Sequence, residues 1–113
     1  MNRCLFCSIA TGEAPATIVH RDEQVLAFRD IHPQAPTHIL IIPLRHIESV
    51  DEMQTADVEL VGRLIATARA LAKTEGLAQG YRLVINTGRQ AGQSVFHLHV
   101  HLLGCRAMHW PPG

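Results

Sequence analysis

The run His97-Leu98-His99-Val100-His101-Leu102-Leu103 constrains this chain more than any other stretch of it. Side chains on a strand alternate between faces, so the run predicts three imidazoles lining one surface and Leu98, Val100 and Leu102 buried on the other. A merely solvated face would more readily use Lys, Glu or Thr. A three-histidine metal site has the right residue types, but ligands converge on one point whereas alternate strand residues stand side by side. Imidazole is nucleophilic when neutral near physiological pH, and a neighbouring group can hold its other nitrogen in the needed tautomer. The middle residue, His99, is best placed for that. Just upstream, Gly88, Gly92, Gln93 and Ser94 can offer backbone N–H groups and a hydroxyl to phosphate oxygens, glycine letting the backbone approach a ligand closely. Anion donors running directly into a nucleophile are what phosphoryl chemistry requires.

The remaining pattern supplies a scaffold for that strand, which is expected over Phe96 to Leu103. A short turn at Phe6 to Ala10 is followed by two β runs, Thr17 to Arg21 and Gln24 to Arg29, joined through Asp22-Glu23 as a hairpin. Two prolines make Asp30 to Pro36 a loop. Thr37 to Pro43 is nearly continuously apolar, as in a strand buried on both faces. Val58, Val61, Ile65, Ala68 and Ala72 recur at helical spacing within Thr55 to Glu75, with Thr55 as a cap and Lys73 and Gly76 at the finish. Tyr81 to Asn86 reads as a further strand and Thr87 to Ser94 as a loop. The expectation is an α+β domain over 1–113: an antiparallel sheet with one long helix and a short N-terminal helix.

Ten basic and ten acidic side chains in 113 residues leave no net charge. The clustered Lys and Arg of a general nucleic-acid or anionic-membrane binder are therefore not expected. The longest apolar stretch, Ile39 to Leu44, is far short of the roughly 20 residues that span a bilayer, and the opening residues form no signal pattern. A cytoplasmic protein is expected, whose partners are small molecules or copies of itself. Three cysteines in such a chain do not suggest a disulfide framework.

At this point the residues resemble the histidine triad family, and within it the Hint branch of purine nucleoside phosphoramidases. The resemblance covers nearly the whole chain. It is carried by Gly92-Gln93-Ser94-Val95-Phe96-His97-Leu98-His99-Val100-His101, Asp30-Ile31-His32-Pro33-Gln34-Ala35-Pro36-Thr37-His38, Gly80-Tyr81-Arg82 and Met108-His109-Trp110-Pro111-Pro112-Gly113. It implies that His99 attacks phosphorus to form a nucleotidyl-histidine intermediate, which water hydrolyses to release AMP or GMP. His101 and the Gly92-Gln93-Ser94 loop would hold the phosphate oxygens, with Ser94 on the leaving-group side. Asp30 would accept hydrogen bonds from the ribose hydroxyls, and Asn86 would contact the sugar-phosphate. Phe28, Ile31 and Ile18 would form an apolar slot for the base, although plain core packing explains them equally well. Trp110 would reach toward the site of a partner subunit, which implies a homodimer whose sheet continues from one copy into the next. No organic cofactor is implied.

Cys4-Leu5-Phe6-Cys7 has zinc-ligand spacing, and His46 and His97 could complete a Cys2His2 set, as in many relatives that use these same positions. Two unligated thiols or a redox pair are the alternatives. His38 is expected to be a core or dimer histidine; His20, His32 and His109 are expected on the surface or in loops; Cys105 has no assigned role. Cleavage of a dinucleoside polyphosphate, a nucleotide-binding regulator with incidental catalysis, and a zinc-stabilised interaction module remain as other readings.

Overall fold

The computed structural model describes residues 4–113. A short helix, α1 (Leu5–Ala10), precedes a hairpin of β1 (Ile18–Arg21) and β2 (Val25–Arg29), then β3 (Thr37–Pro43), the long helix α2 (Val58–Thr74), β4 (Tyr81–Val84) and β5 (Val100–Gly104). The strands form one antiparallel sheet in the order β1-β2-β3-β5-β4. This is the expected α+β architecture. Among the described residues, no helix is long and apolar enough to cross a membrane.

The alternation of each strand decides what lies on which face. Val25, Ala27, Ile39, Ile41, Val100 and Leu102 point to one side, where they pack under Leu60, Leu64, Ala68 and Leu71 of α2. The opposite parity, Leu26, Phe28, Leu40 and Ile42, packs against Phe6 and Ile9 of α1. Burial on both faces accounts for the unbroken apolar run of β3. Apolar area removed from water on both sides is the main term holding the layers together.

Three boundaries differ from expectation by two or more residues. The last strand starts at Val100 rather than Phe96, because the preceding backbone bonds irregularly: Leu98 N–H donates to the carbonyl of Ile47 at 2.6 Å. β4 ends at Val84, so Ile85 and Asn86 lie outside its ladder. The long helix is entered through a 3₁₀ turn (Thr55–Asp57), and its start is held by Asp57, not by Thr55. The Asp57 carboxylate is 2 % exposed, accepts the Gln54 N–H at 2.8 Å and pairs with Arg45. Replacing Asp57 by alanine removes the acceptor of the Gln54 N–H and leaves Arg45 without its carboxylate, and should cost about 2 kcal/mol. The urea midpoint should fall with an unchanged slope, and Asp57→Asn, which keeps an acceptor for Gln54, should lose less.

Candidate active site

The three histidines of the last strand region share the α1 side of the sheet, as alternation requires. His97 is fully buried, His99 buried and His101 half-buried. The rings of His99 and His101 meet edge to face with centroids 4.9 Å apart, and the Phe6 ring lies edge-on to His99 at 5.1 Å and to Phe28 at 5.3 Å. α1 thus brings an aromatic wall against the middle histidine, a contact the sequence did not disclose.

Each histidine has a separate tether. His97 Nε2 donates to the carbonyl of Pro43 at 2.8 Å, and His99 Nδ1 donates to the carbonyl of His97 at 2.7 Å. A carbonyl only accepts, so His99 carries its proton on Nδ1 when neutral and its Nε2 keeps a lone pair. That nitrogen makes no hydrogen bond among the described residues. Burial holds the His99 pKa below its ordinary value, in favour of the neutral imidazole. Burial, with the neighbouring His99 and His38 rings adding to it, pulls His101 down to about 4.

His38 belongs to this site rather than to core packing alone. It is buried on β3, and its Nε2 lies 2.9 Å from His101 Nδ1 and 3.4 Å from Asp30 Oδ2. The register pairs Leu40 with His101 and His38 with Leu103, which makes His38 and His101 diagonal neighbours on one face. Its even parity within an apolar strand was the available signal, but it identifies a partner only once the β3–β5 register is known. Burial lowers its pKa, against the pull of Asp30.

The loop before the histidines is built around Gln93, and here the structure corrects the sequence reading. Gln93 is buried; its Nε2 donates to the carbonyls of Glu48 and Val95, its own N–H donates to Gly88, and its Oε1 accepts from Gly88 N–H. With every N–H of Gln93 taken, it has no donor left for a phosphate and acts by shaping the loop. Gly92 takes the left-handed conformation (φ +94°) that closes the 3₁₀ turn Arg89–Ala91, and the Asn86 side-chain amide lies against it. Ser94 is exposed, and neither its hydroxyl nor the Asn86 side chain is bonded among the described residues. The proposed base slot is likewise revised. Phe28 is 2 % exposed and packs in the core, whereas Ile31 at 82 % and Ile18 stand open to solvent. Trp110 is 84 % exposed; the tail is held where Arg82 donates to the carbonyl of His109 at 2.8 Å.

Cys4, Cys7, His46 and His97 do converge. Cys4 Sγ lies 3.4 Å from His97 Nδ1, Cys7 Sγ lies 3.3 Å from His46 Nδ1 and 3.5 Å from His97 Nδ1, and the two Nδ1 atoms are 3.2 Å apart. Tetrahedral zinc, at about 2.3 Å from sulfur and about 2.0 Å from nitrogen, sets ligand separations of about 3.5 Å for S and N and about 3.3 Å for two nitrogens. The donor set therefore fits that ion. The His97 Nε2 bond to Pro43 fixes the tautomer that leaves Nδ1 free to ligate.

Comparison with known proteins decides the family. The HIT domain pattern matches residues 11–108. The chain belongs to the HIT family. It is 52 % identical to the 14 kDa zinc-binding protein of Zea mays, over 96 % of this chain and 87 % of that one. It is 50 % identical to adenylylsulfatase HINT1 of Arabidopsis thaliana, over 96 % of this chain and 76 % of that one. Among solved structures, a HIT family hydrolase from Legionella pneumophila Philadelphia 1 superposes with a TM-score of 0.96 at 54 % identity, covering 98 % of this chain and 100 % of that one. A histidine triad nucleotide-binding protein from Candida albicans gives 0.82 at 28 % identity, over 97 % and 84 %. The HIT fold is therefore shared along essentially the whole chain.

Proposed function

We propose that this HIT protein is a nucleotidyl hydrolase that acts on purine nucleoside 5′-phosphoramidates through a covalent intermediate on His99. The observation that carries the reading is the His99 imidazole: neutral, tethered through Nδ1, and presenting an unpaired Nε2 beside His101. The Nε2 lone pair attacks phosphorus and the P–N bond breaks, the departing amine taking a proton from solvent that the attacking water later returns. Water then attacks the phosphorus of the nucleotidyl-histidine, releasing AMP or GMP and restoring the imidazole. His101 and Ser94 would bind the phosphate oxygens, with Gly92 letting the loop backbone approach them. Asn86 would contact the sugar-phosphate, and Asp30 would accept from the ribose hydroxyls. Ile31 and Ile18 are the open apolar residues for the base.

Cys4, Cys7, His46 and His97 would hold zinc. When bound, the ion supplies a structural cross-link between α1 and the histidine strand, not a reacting centre, since all four of its positions are filled by protein. One domain over 1–113 that pairs as a homodimer through the outer edge of β4 completes the reading, with purine nucleotides as its small-molecule partners and the cytoplasm as its place. A hollow of about 770 Å³ lined by Leu77, Tyr81, Arg82 and Met108 runs along that edge.

The name of the Arabidopsis relative supports a second substrate with the same attacking group, adenylyl sulfate, in which sulfate rather than an amine departs. Supplying an adenosine 5′-phosphoramidate with a fluorescent amine and adenylyl sulfate in parallel, and following amine, sulfate and AMP, separates the two. Faster amine release is expected. Exclusive sulfate release would replace the phosphoramidate reading, and release of neither would remove the hydrolase reading.

A further inference from the structure

One contact in the site joins the chain to itself: a main-chain amide is aimed at an imidazole. Gln34 N–H donates to His38 Nδ1 at 3.0 Å. A ring nitrogen that accepts carries no proton, so the neutral His38 is protonated on Nε2. That Nε2–H points at His101 Nδ1, 2.9 Å away, with Asp30 Oδ2 farther off at 3.4 Å. His101 Nδ1 is then also an acceptor, and the proton of the neutral ring sits on its Nε2. The adjacent His99 has the opposite tautomer, because His97 O takes its Nδ1–H. Two imidazoles in edge contact thus present unlike groups, a lone pair on His99 and a donor on His101.

We propose that the Gln34 amide is a tautomer lock, setting the proton of His38 and, through it, that of His101, so that His101 offers an N–H beside the nucleophile. The loop is built to hold that amide still. Pro33 and Pro36 restrict its backbone, Asp30 Oδ1 accepts His32 N–H at 2.8 Å, and Gln34 Nε2 donates to the carbonyl of His32 at 3.1 Å. From the far end of β5, Arg106 Nε donates to the carbonyl of Gln34 at 2.9 Å. Gln34, through its main chain, and Arg106 are therefore positioning residues for His101.

The lock also settles a competing use of the same side chains. Asp30, His38 and His101 lie close enough together to bind a metal ion. Ligation through His38 Nε2 would move its proton to Nδ1, against the Gln34 N–H. The amide selects the hydrogen-bonded relay over the metal site.

The catalytic consequence rests on the nucleotidyl-transfer reading above: an anionic phosphate oxygen is met by a donor and not by a lone pair. The tautomers themselves are readable without substrate. Long-range proton–nitrogen NMR spectra of protein labelled with 15N-histidine separate protonated from bare ring nitrogens. The wild type at neutral pH should show His38 and His101 protonated on Nε2 and His99 on Nδ1. Gln34→Ala, which keeps the amide, should retain this pattern. Gln34→Pro, which deletes it, should show mixed tautomers at His38 and His101 with His99 unchanged, and kcat/KM should fall about tenfold. Should that variant fail to fold, Arg106→Ala should shift the same two residues in the same direction. A wild type with His38 protonated on Nδ1 would overturn the lock, as would a folded Gln34→Pro, or Arg106→Ala in its place, with wild-type tautomers. Expected tautomers in a protein that turns over neither test substrate would support the lock and remove the catalytic reading alone.

Discussion

Turnover of an adenosine 5′-phosphoramidate should drop by at least about three orders of magnitude in His99→Ala, with the fold intact. The size of the effect follows from the position of the ring. Burial keeps it neutral, its Nδ1–H is fixed by the carbonyl of His97, and its Nε2 has no other partner among the described residues. No second imidazole can take over. His97 spends Nε2 on Pro43 and turns Nδ1 toward the cysteines, while His101 spends Nδ1 on His38 and offers a proton, not a lone pair, at Nε2. The measurement is amine release by wild type and variant, with far-UV circular dichroism to establish folding. Mass spectrometry of wild type quenched during turnover should also find a nucleotidyl adduct on His99 that is absent from the variant. Retention of more than a tenth of wild-type turnover would transfer the nucleophile elsewhere.

The second large effect is expected at the cysteine pair. Purified wild type should carry one equivalent of zinc. Cys7→Ser, or exhaustive chelation, should release it and lower thermal stability by several kcal/mol, since metal affinity for a site formed only on folding is folding free energy. The reason lies in what α1 does. A six-residue helix has little stability of its own, yet with its N-cap Cys4 it supplies both cysteines and the Phe6 ring that packs on His99 and Phe28. Burial raises the pKa of the Cys4 thiol in the metal-free set, a cost that a divalent cation offsets. Metal analysis by atomic emission and calorimetry of the two forms check this. An unchanged melting temperature after complete metal removal would reduce the four residues to a thiol–imidazole cluster without structural weight.

Loss of metal should act on catalysis only through position. His97 is two residues from His99, and its carbonyl is the acceptor that fixes the nucleophile's tautomer. Freed from the cysteines, His97 still holds Pro43 through Nε2. Turnover should therefore fall far less in Cys7→Ser than in His99→Ala, a ranking that separates a support from a nucleophile.

How much of this was legible beforehand depended on whether a feature is local. The histidine parity was readable because strand alternation is a property of three consecutive peptide units, and it held even where the backbone from His97 to His99 leaves the ladder. The long helix was readable from its apolar spacing. Its entry differs because Thr55 and Asp57 can each serve a helix start in sequence, and only the buried Asp57 bond to Gln54 N–H and its pairing with Arg45 show which of them does. Gln93 was assigned to phosphate because a Gly-Gln-Ser loop suits an anion. Its bonds to Val95 and Gly88 are local, but the one to the Glu48 carbonyl, which completes the set and leaves no N–H over, comes from a loop 45 residues away.

The sequence by itself determined the set of chemical groups, the face on which the three histidines stand and the family to which the chain belongs, since composition, alternation and motif are properties of neighbours along the chain. Tertiary structure alone decided which of those groups meet. His38 and His101 are 63 residues apart, and Cys4 meets His97 across 93 residues. Those meetings rest on the β3–β5 register and on α1 docking over the sheet. Both are set by burial of apolar faces, a non-directional force that leaves no local mark on the residues it brings together.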